Sequence, residues 1–170
     1  MSGTAAGRAG KSKGSSSRRS AARLAAVQAL YQIEMSGTAT ETVIGEFIDH
    51  RLKEEVDGVR LDGADRRMLR ELVAGIAQEA AMLDDMLSAV LEDDWPVERL
   101  ETLLRLVLRA GAYELCERPD IPPRVVITEY VDLAAAFFGG KEPGMVNGIL
   151  DRLARSLRPE AFATTGHGAA

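Results

Sequence analysis

Arg18, Arg19 and Arg23 lie close together near the start of the chain. On a helix, Arg19 and Arg23 fall within about 40° of each other, and Arg18 extends the cluster. Like charges at that spacing repel, and no acid precedes Glu34. Approaching phosphates would relieve the repulsion; the competing reading is a plain solvated cluster. The wider charge pattern bears on both. Six of the 21 basic residues and none of the 26 acidic ones lie within residues 1–33, although the net charge is −5. A basic arm on an acidic body suits nucleic acid or another polyanion, or simply serves as a solubilising tail.

Other chemistry is poorly supplied. No phosphate-loop or dinucleotide fingerprint occurs, and Gly139-Gly140-Lys141 is a fragment of neither. Asp84-Asp85 and Glu92-Asp93-Asp94 are sequence neighbours. Neighbouring residues on a helix point apart, so these read as solvated acidic surface rather than an acid–base pair. The second cluster, beside Trp95, could also face a basic partner. Cys116 is the single cysteine, which excludes a disulfide framework and a cysteine-based zinc site within one chain. His50 and His167 are far apart and offer no nucleophile–base motif. The expectation is a non-enzyme with no metal and no cofactor.

The longest apolar run, Leu133 to Phe138, is far too short to span a membrane. No apolar segment follows the basic N-terminus as a secretory signal requires, so a cytoplasmic protein is expected.

The elements that must carry these residues are helical. Leu24, Val27, Tyr31 and Met35 recur at three- to four-residue steps, and Gly37 then stops the run. By this periodicity Tyr31 falls among the core positions. Gln28 and Gln32 share another face. Val43, Ile44, Phe47, Ile48 and Leu52 form a second stripe. A third, from Leu69 through Leu72, Val73, Ile76, Ala80, Leu83 and Leu87 to Val90, predicts one long helix, with Asp62 and Asp65 near its N-terminus. Further helices are expected from Leu100 to about Cys116, from Val125 to Phe137, and from Pro143 to Leu157 before Pro159. No strand is expected.

The fold class is therefore all-α, a bundle of six or seven helices. Residues 1–17 are rich in Gly and Ser and read as a disordered basic arm. Residues 18–158 form the folded domain, and 159–170 read as a disordered tail.

Several segments, in order, resemble one family. Arg18-Arg19 with Arg23, followed by Gln28 and Tyr31, is similar to the first helix of the NusB antitermination factors. Leu72 to Gly75, Trp95 to Leu100 and Leu108 to Leu115 resemble the middle of that family. Pro119 to Phe137 resembles its second-last helix, and Val146-Asn147-Gly148-Ile-Leu150-Asp151 its closing signature. The resemblance runs from about residue 18 to 158.

It implies two three-helix sub-bundles and binding of boxA-type single-stranded RNA together with NusE, a ribosomal small-subunit protein. It further implies a complex with RNA polymerase and other Nus factors that supports transcription of ribosomal RNA operons. The family also includes homodimers. Carried onto this sequence, RNA contacts fall on Arg18, Arg19, Arg23, Gln28, Tyr31, Lys141 and Met145. NusE contacts fall on Tyr31 and Glu98. Rings such as that of Tyr31 stack on splayed bases, and Gln can read base edges, with ordinary polar surface as its alternative.

The chain departs from the pattern before Val146. Where many relatives carry a basic residue and then Phe, it has Gly144 and Met145, so ring stacking is lost, while Lys141 supplies charge from a shifted position. The alternative function is a helical protein–protein adaptor that binds NusE without sequence-specific RNA recognition. Glu129, Arg109 and Asn147 are expected to form a structural network. Gly75 and Gly148 are expected at close helix contacts, and Tyr113 and Trp95 as packing anchors.

Overall fold

The computed structural model describes residues 9–56, 59–92 and 96–163. It divides into two compact units, Met1–Gln78 and Glu79–Ala170. The described residues form seven α-helices, and none is long and apolar enough to cross a membrane. The expected contributions of Asp93, Asp94, Trp95 and His167 lie outside the described residues.

In the first unit, α1 (Ala9–Ser36) is the long element. Five alanines between Ala21 and Ala29 favour the helix intrinsically and allow close packing. From Ala21 to Leu30 every residue except Gln28 is buried. The expected single stripe is thereby corrected: Tyr31 and Met35 are exposed, at 41% and 56%. A helix enclosed on all sides has no polar face to set a periodicity, and the sequence pattern there misassigns the last two turns. Gly37 ends α1 as expected. Its φ of +69° is left-handed, and its N–H donates to the Ile33 carbonyl at 2.9 Å.

The helix also starts earlier than expected, so residues 9–17 are helical rather than an unstructured arm. Once a stable nucleus exists, each added residue contributes a hydrogen bond without a new nucleation cost, and Gly and Ser can be carried along.

Helix α2 (Thr40–Asp49) buries Val43, Ile44 and Phe47. Helix α3 (Arg66–Gln78) buries Met68, Leu69, Leu72, Val73 and Ile76. Asp65 caps α3, its Oδ1 accepting from the Met68 N–H at 3.0 Å. Asp62 instead accepts from Arg60. Between α2 and α3 lies an unexpected two-residue antiparallel ladder, β1 (Glu55–Val56) with β2 (Val59–Arg60). Pairs this short carry no periodic signal.

The predicted long third helix breaks at Glu79, where φ is −97° and ψ is 14°. Between Ile76 and Leu83 the stripe holds only Ala80, and the one larger apolar residue there, Met82, is exposed, so no buried bulky side chain holds the axis straight. Its second half, α4 (Ala80–Ser88), belongs to the second unit. That unit accordingly holds four helices rather than three.

Helix α5 (Thr102–Glu117) is buried continuously from Leu106 to Leu115 except for half-buried Arg109. Helix α6 (Pro123–Phe137) places Val126, Ile127, Tyr130, Leu133 and Ala134 in the core, while Val125 is 45% exposed. Helix α7 (Glu142–Leu157) has Pro143 in its first turn and buries Val146, Ile149, Leu150 and Leu153. Each such aliphatic side chain contributes roughly 1.5–3 kcal/mol on full burial.

The close helix approach occurs at Gly111, not at Gly148. A Cβ on Gly111 would lie 2.6 Å from Leu150 Cδ1, whereas one on Gly148 meets nothing within 4 Å. Beyond α7 the expected tail begins with a 3-10 turn, Pro159–Ala161. There the Arg155 guanidinium stands 4.5 Å from the centre of the Phe162 ring.

Candidate nucleic-acid interface

The first unit presents its candidate residues along α1. Arg18 is exposed. Its Nε donates to the Gly63 carbonyl at 3.1 Å, and its own carbonyl accepts from the Asp65 N–H at 3.0 Å. The helix is thus tied to the turn that caps α3. Arg19 is half-buried.

Arg23 is 2% exposed, which corrects the expectation of a surface pair with Arg19. It falls inside the stretch where α1 is enclosed on nearly every side. A rotation of about 40° from Arg19 is enough to carry it inward. A guanidinium is retained there only with hydrogen-bonding partners.

Tyr31 lies on the surface, so the periodicity that put it among core positions is corrected. Gln28, three residues earlier, is half-buried, and its Oε1 is buried without a hydrogen-bond partner. Gln32 is engaged within the unit. It donates to Glu46 Oε2 at 2.9 Å and accepts from Arg51 at 3.4 Å. Among the residues of α1 whose side chains are described, the exposed basic and aromatic surface therefore consists of Arg18 and Tyr31, with Arg19 and Gln28 partly available.

The second unit carries the remaining candidates. Glu98 is exposed in a 3-10 turn, Val97–Arg99. Lys141 immediately precedes α7 and is exposed, and Met145 is half-buried in its first turn. Both line a hollow of about 310 Å³. Its lining includes the apolar Leu91, Met145 and Ile149 and the charged Lys141, Arg152 and Glu92. Gly144 and Gly148 complete the lining, and a Cβ on either would meet nothing within 4 Å. Arg152 is a residue sequence reasoning missed. Its signal was present, since 141, 144 or 145, 148 and 152 share one helix face.

The supporting framework includes a pairing the sequence did not suggest. Arg109 makes two 2.7 Å hydrogen bonds to Asp84, through Nε and a terminal nitrogen. Asp84 is thus not part of a merely solvated acidic face. Asn147, expected in the Arg109–Glu129 network, is exposed. Tyr113 is buried, as expected of a packing anchor.

Arg158 was not anticipated. Its guanidinium donates to the carbonyls of Glu114, Leu115, Arg118 and Ile121 at 2.6–3.0 Å. These include carbonyls that the end of α5 leaves without intrahelical partners. A long-range clamp of this kind has no local sequence signature.

The NusB family model matches residues 20–155. Transcription antitermination protein NusB of Rhizobium etli (strain CIAT 652) is 46% identical over 143 residues, 84% of this chain and 89% of that protein. Its counterpart from Sinorhizobium fredii (strain NBRC 101917 / NGR234) is 47% identical over 142 residues, with the same coverage of each chain. Among solved structures, T. maritima NusB superimposes with a TM-score of 0.63 at 31% identity, over 85% of this chain and 96% of that one. A chain from a structure of antitermination factors NusB and NusE in complex with dsRNA gives 0.66 over 81% and 96%. At 22% identity that likeness shows the fold alone.

Proposed function

The chain belongs to the NusB family, and from that membership we propose that it is a non-enzymatic transcription antitermination factor acting in the cytoplasm. In this reading it binds boxA-type single-stranded RNA jointly with NusE and supports transcription of ribosomal RNA operons within the RNA polymerase complex. The observation that carries the reading is identity of 46–47% to proteins named for antitermination, over 84% of the chain. Arg18 and Tyr31 on α1, and Lys141 just before α7 with Arg152 within it, offer phosphate- and base-binding chemistry consistent with it.

Titration with a boxA-type RNA and a scrambled control, with and without NusE and at two salt concentrations, tests the reading. Preference for boxA, tightened by NusE, supports it. Equal binding of both RNAs would leave only the adaptor.

The adaptor reading has its own support. Arg23 is withdrawn from the surface, and Met145 stands where the family resemblance implies a ring. In that reading NusE binds with no gain on adding RNA.

A further inference from the structure

The first turn of α3 breaks a local rule. It opens with Arg66 and Arg67 and contains no acid. The amino end of a helix carries a partial positive charge, so cations are unfavourable there. Arg70 follows on the face of Arg66, and like charges four residues apart repel. Arg70 is relieved by Glu41, at 3.2 Å. Arg66 and Arg67 are exposed, and neither guanidinium has a hydrogen-bonding or ion-pairing partner among the described residues. The acids around them are engaged elsewhere. Asp62 pairs with Arg60 at 2.9 Å, Asp65 caps the helix at the Met68 N–H, and Glu71, one turn on, has a partner of its own.

The tertiary fold adds a third guanidinium to this pair. The Arg18 carbonyl accepts from the Asp65 N–H at 3.0 Å, which sets Arg18 of α1 beside the residue that precedes Arg66. Arg18 Nε donates to the Gly63 carbonyl at 3.1 Å. That bond orients the planar group by one edge and leaves its terminal nitrogens open among the described residues. A neutral carbonyl holds the cation without neutralising it. Positive charge is thus gathered where folding alone opposes it, and an approaching anion relieves it. The apolar side chains nearby, Leu61, Ala64 and Met68, are buried, so the patch offers no surface on which a base could stack. Its ligand is held by charge and not by base identity.

We propose that Arg66 and Arg67, with Arg18, form a sequence-independent phosphodiester site that holds the strand flanking the boxA element. The inference rests on the RNA-binding reading above and extends it to α3, an element to which that reading assigns no contact. Continuity with Arg18 favours a nucleic-acid backbone over an acidic peptide.

The test uses the full chain with NusE, a boxA-type RNA of minimal length, and the same RNA extended without structure at its 5′ or its 3′ end. Each extension is made in two unrelated sequences. One of the two ends tightens binding to the wild type, equally in both sequences. Two phosphate contacts at roughly 0.7 each in log–log slope make that gain shrink about seven-fold over a roughly four-fold rise in salt. Arg66→Gln with Arg67→Gln abolishes the gain and keeps the affinity for the minimal RNA. Its melting temperature stays at or above that of the wild type, because two cations leave the amino end of α3.

If the double variant keeps the gain, or weakens minimal and extended RNAs alike, the arginines do not hold the flank. If its melting temperature falls, they serve the fold, and the proposal is overturned. If neither extension tightens the wild type, the flank site is absent while the boxA reading stands. If the wild type binds no boxA RNA, the functional reading falls and this one falls with it. If a polyglutamate peptide binds the wild type more tightly than an unrelated RNA of equal charge, and the double variant loses that binding, the patch takes acidic protein and the proposal is overturned.

Discussion

The Tyr130 hydroxyl donates to the Glu114 carboxylate, and both side chains are fully enclosed within the second unit. The bond joins α6 to α5 at the centre of that unit. A carboxylate so placed is tolerated because donors reach it, and the phenol is one of them.

Tyr130→Phe keeps the ring and removes the donor. The expected loss is about 1–3 kcal/mol of stability, the cost of leaving a buried polar group short of a partner. Urea unfolding followed by circular dichroism measures it. An unchanged midpoint would show that the remaining partners of Glu114 suffice.

Gly111→Ala sets two effects against each other. Alanine gains roughly 1 kcal/mol of helix propensity. Its Cβ would also stand 2.6 Å from Leu150 Cδ1, and Leu150 is fully buried with little room to yield. Overpacking costs about 1–3 kcal/mol, so net destabilisation is expected. In a Leu150→Ala background the same change becomes neutral or stabilising. A double-mutant cycle in thermal unfolding reads that coupling.

How much of this was legible in the sequence depended on contrast. Helix α2 has a clear apolar face, and Val43, Ile44 and Phe47 could be read directly. Helix α1 has no such contrast between Ala21 and Leu30, and the stripe drawn through it ran on to Tyr31 and Met35 on the surface. Glu79 broke a stripe that looked continuous, because alanine satisfies a hydrophobic pattern without supplying the bulk that holds a helix straight. At the candidate site, Lys141 and Met145 were named from the family resemblance, and both line the hollow. Gly144 was read as a lost basic residue and Gly148 as a close contact, because a recess is a property of space between side chains. The clamp from Arg158 depends on pairings 37–44 residues apart and has no local pattern at all.

The three arginines of α1 should separate in solution. Arg18→Gln with Arg19→Gln is expected to flatten the salt dependence of RNA binding by about 1.4 in log–log slope, at roughly 0.7 per phosphate contact. The melting temperature should change little. Arg23→Gln removes a buried hydrogen-bonding group and should cost about 1–3 kcal/mol of stability. Titrations and melts on the same variants check both. A slope change confined to Arg23→Gln would reverse the assignment.

Cys116 gives a pH-dependent readout. Partial burial pushes its thiol above the ordinary range, and the neighbouring Glu117 carboxylate, 3.7 Å from Sγ, pushes it further. The thiolate is the reactive form, so the midpoint of alkylation against pH should lie above that of a free-cysteine peptide measured alongside. Glu117→Gln should lower it part of the way. A midpoint at or below the peptide's would contradict this environment.

The Arg158 clamp also imposes an order of events during synthesis. The carbonyls it closes belong to residues that leave the peptidyl transferase centre 37–44 residues ahead of it. At ordinary elongation rates that is a delay of roughly two to nine seconds. Throughout it, the Leu115 carbonyl, which the end of α5 leaves without an intrahelical partner, must rely on water. The cap that Arg158 places on this end of α5 therefore forms late, only after that residue has been added.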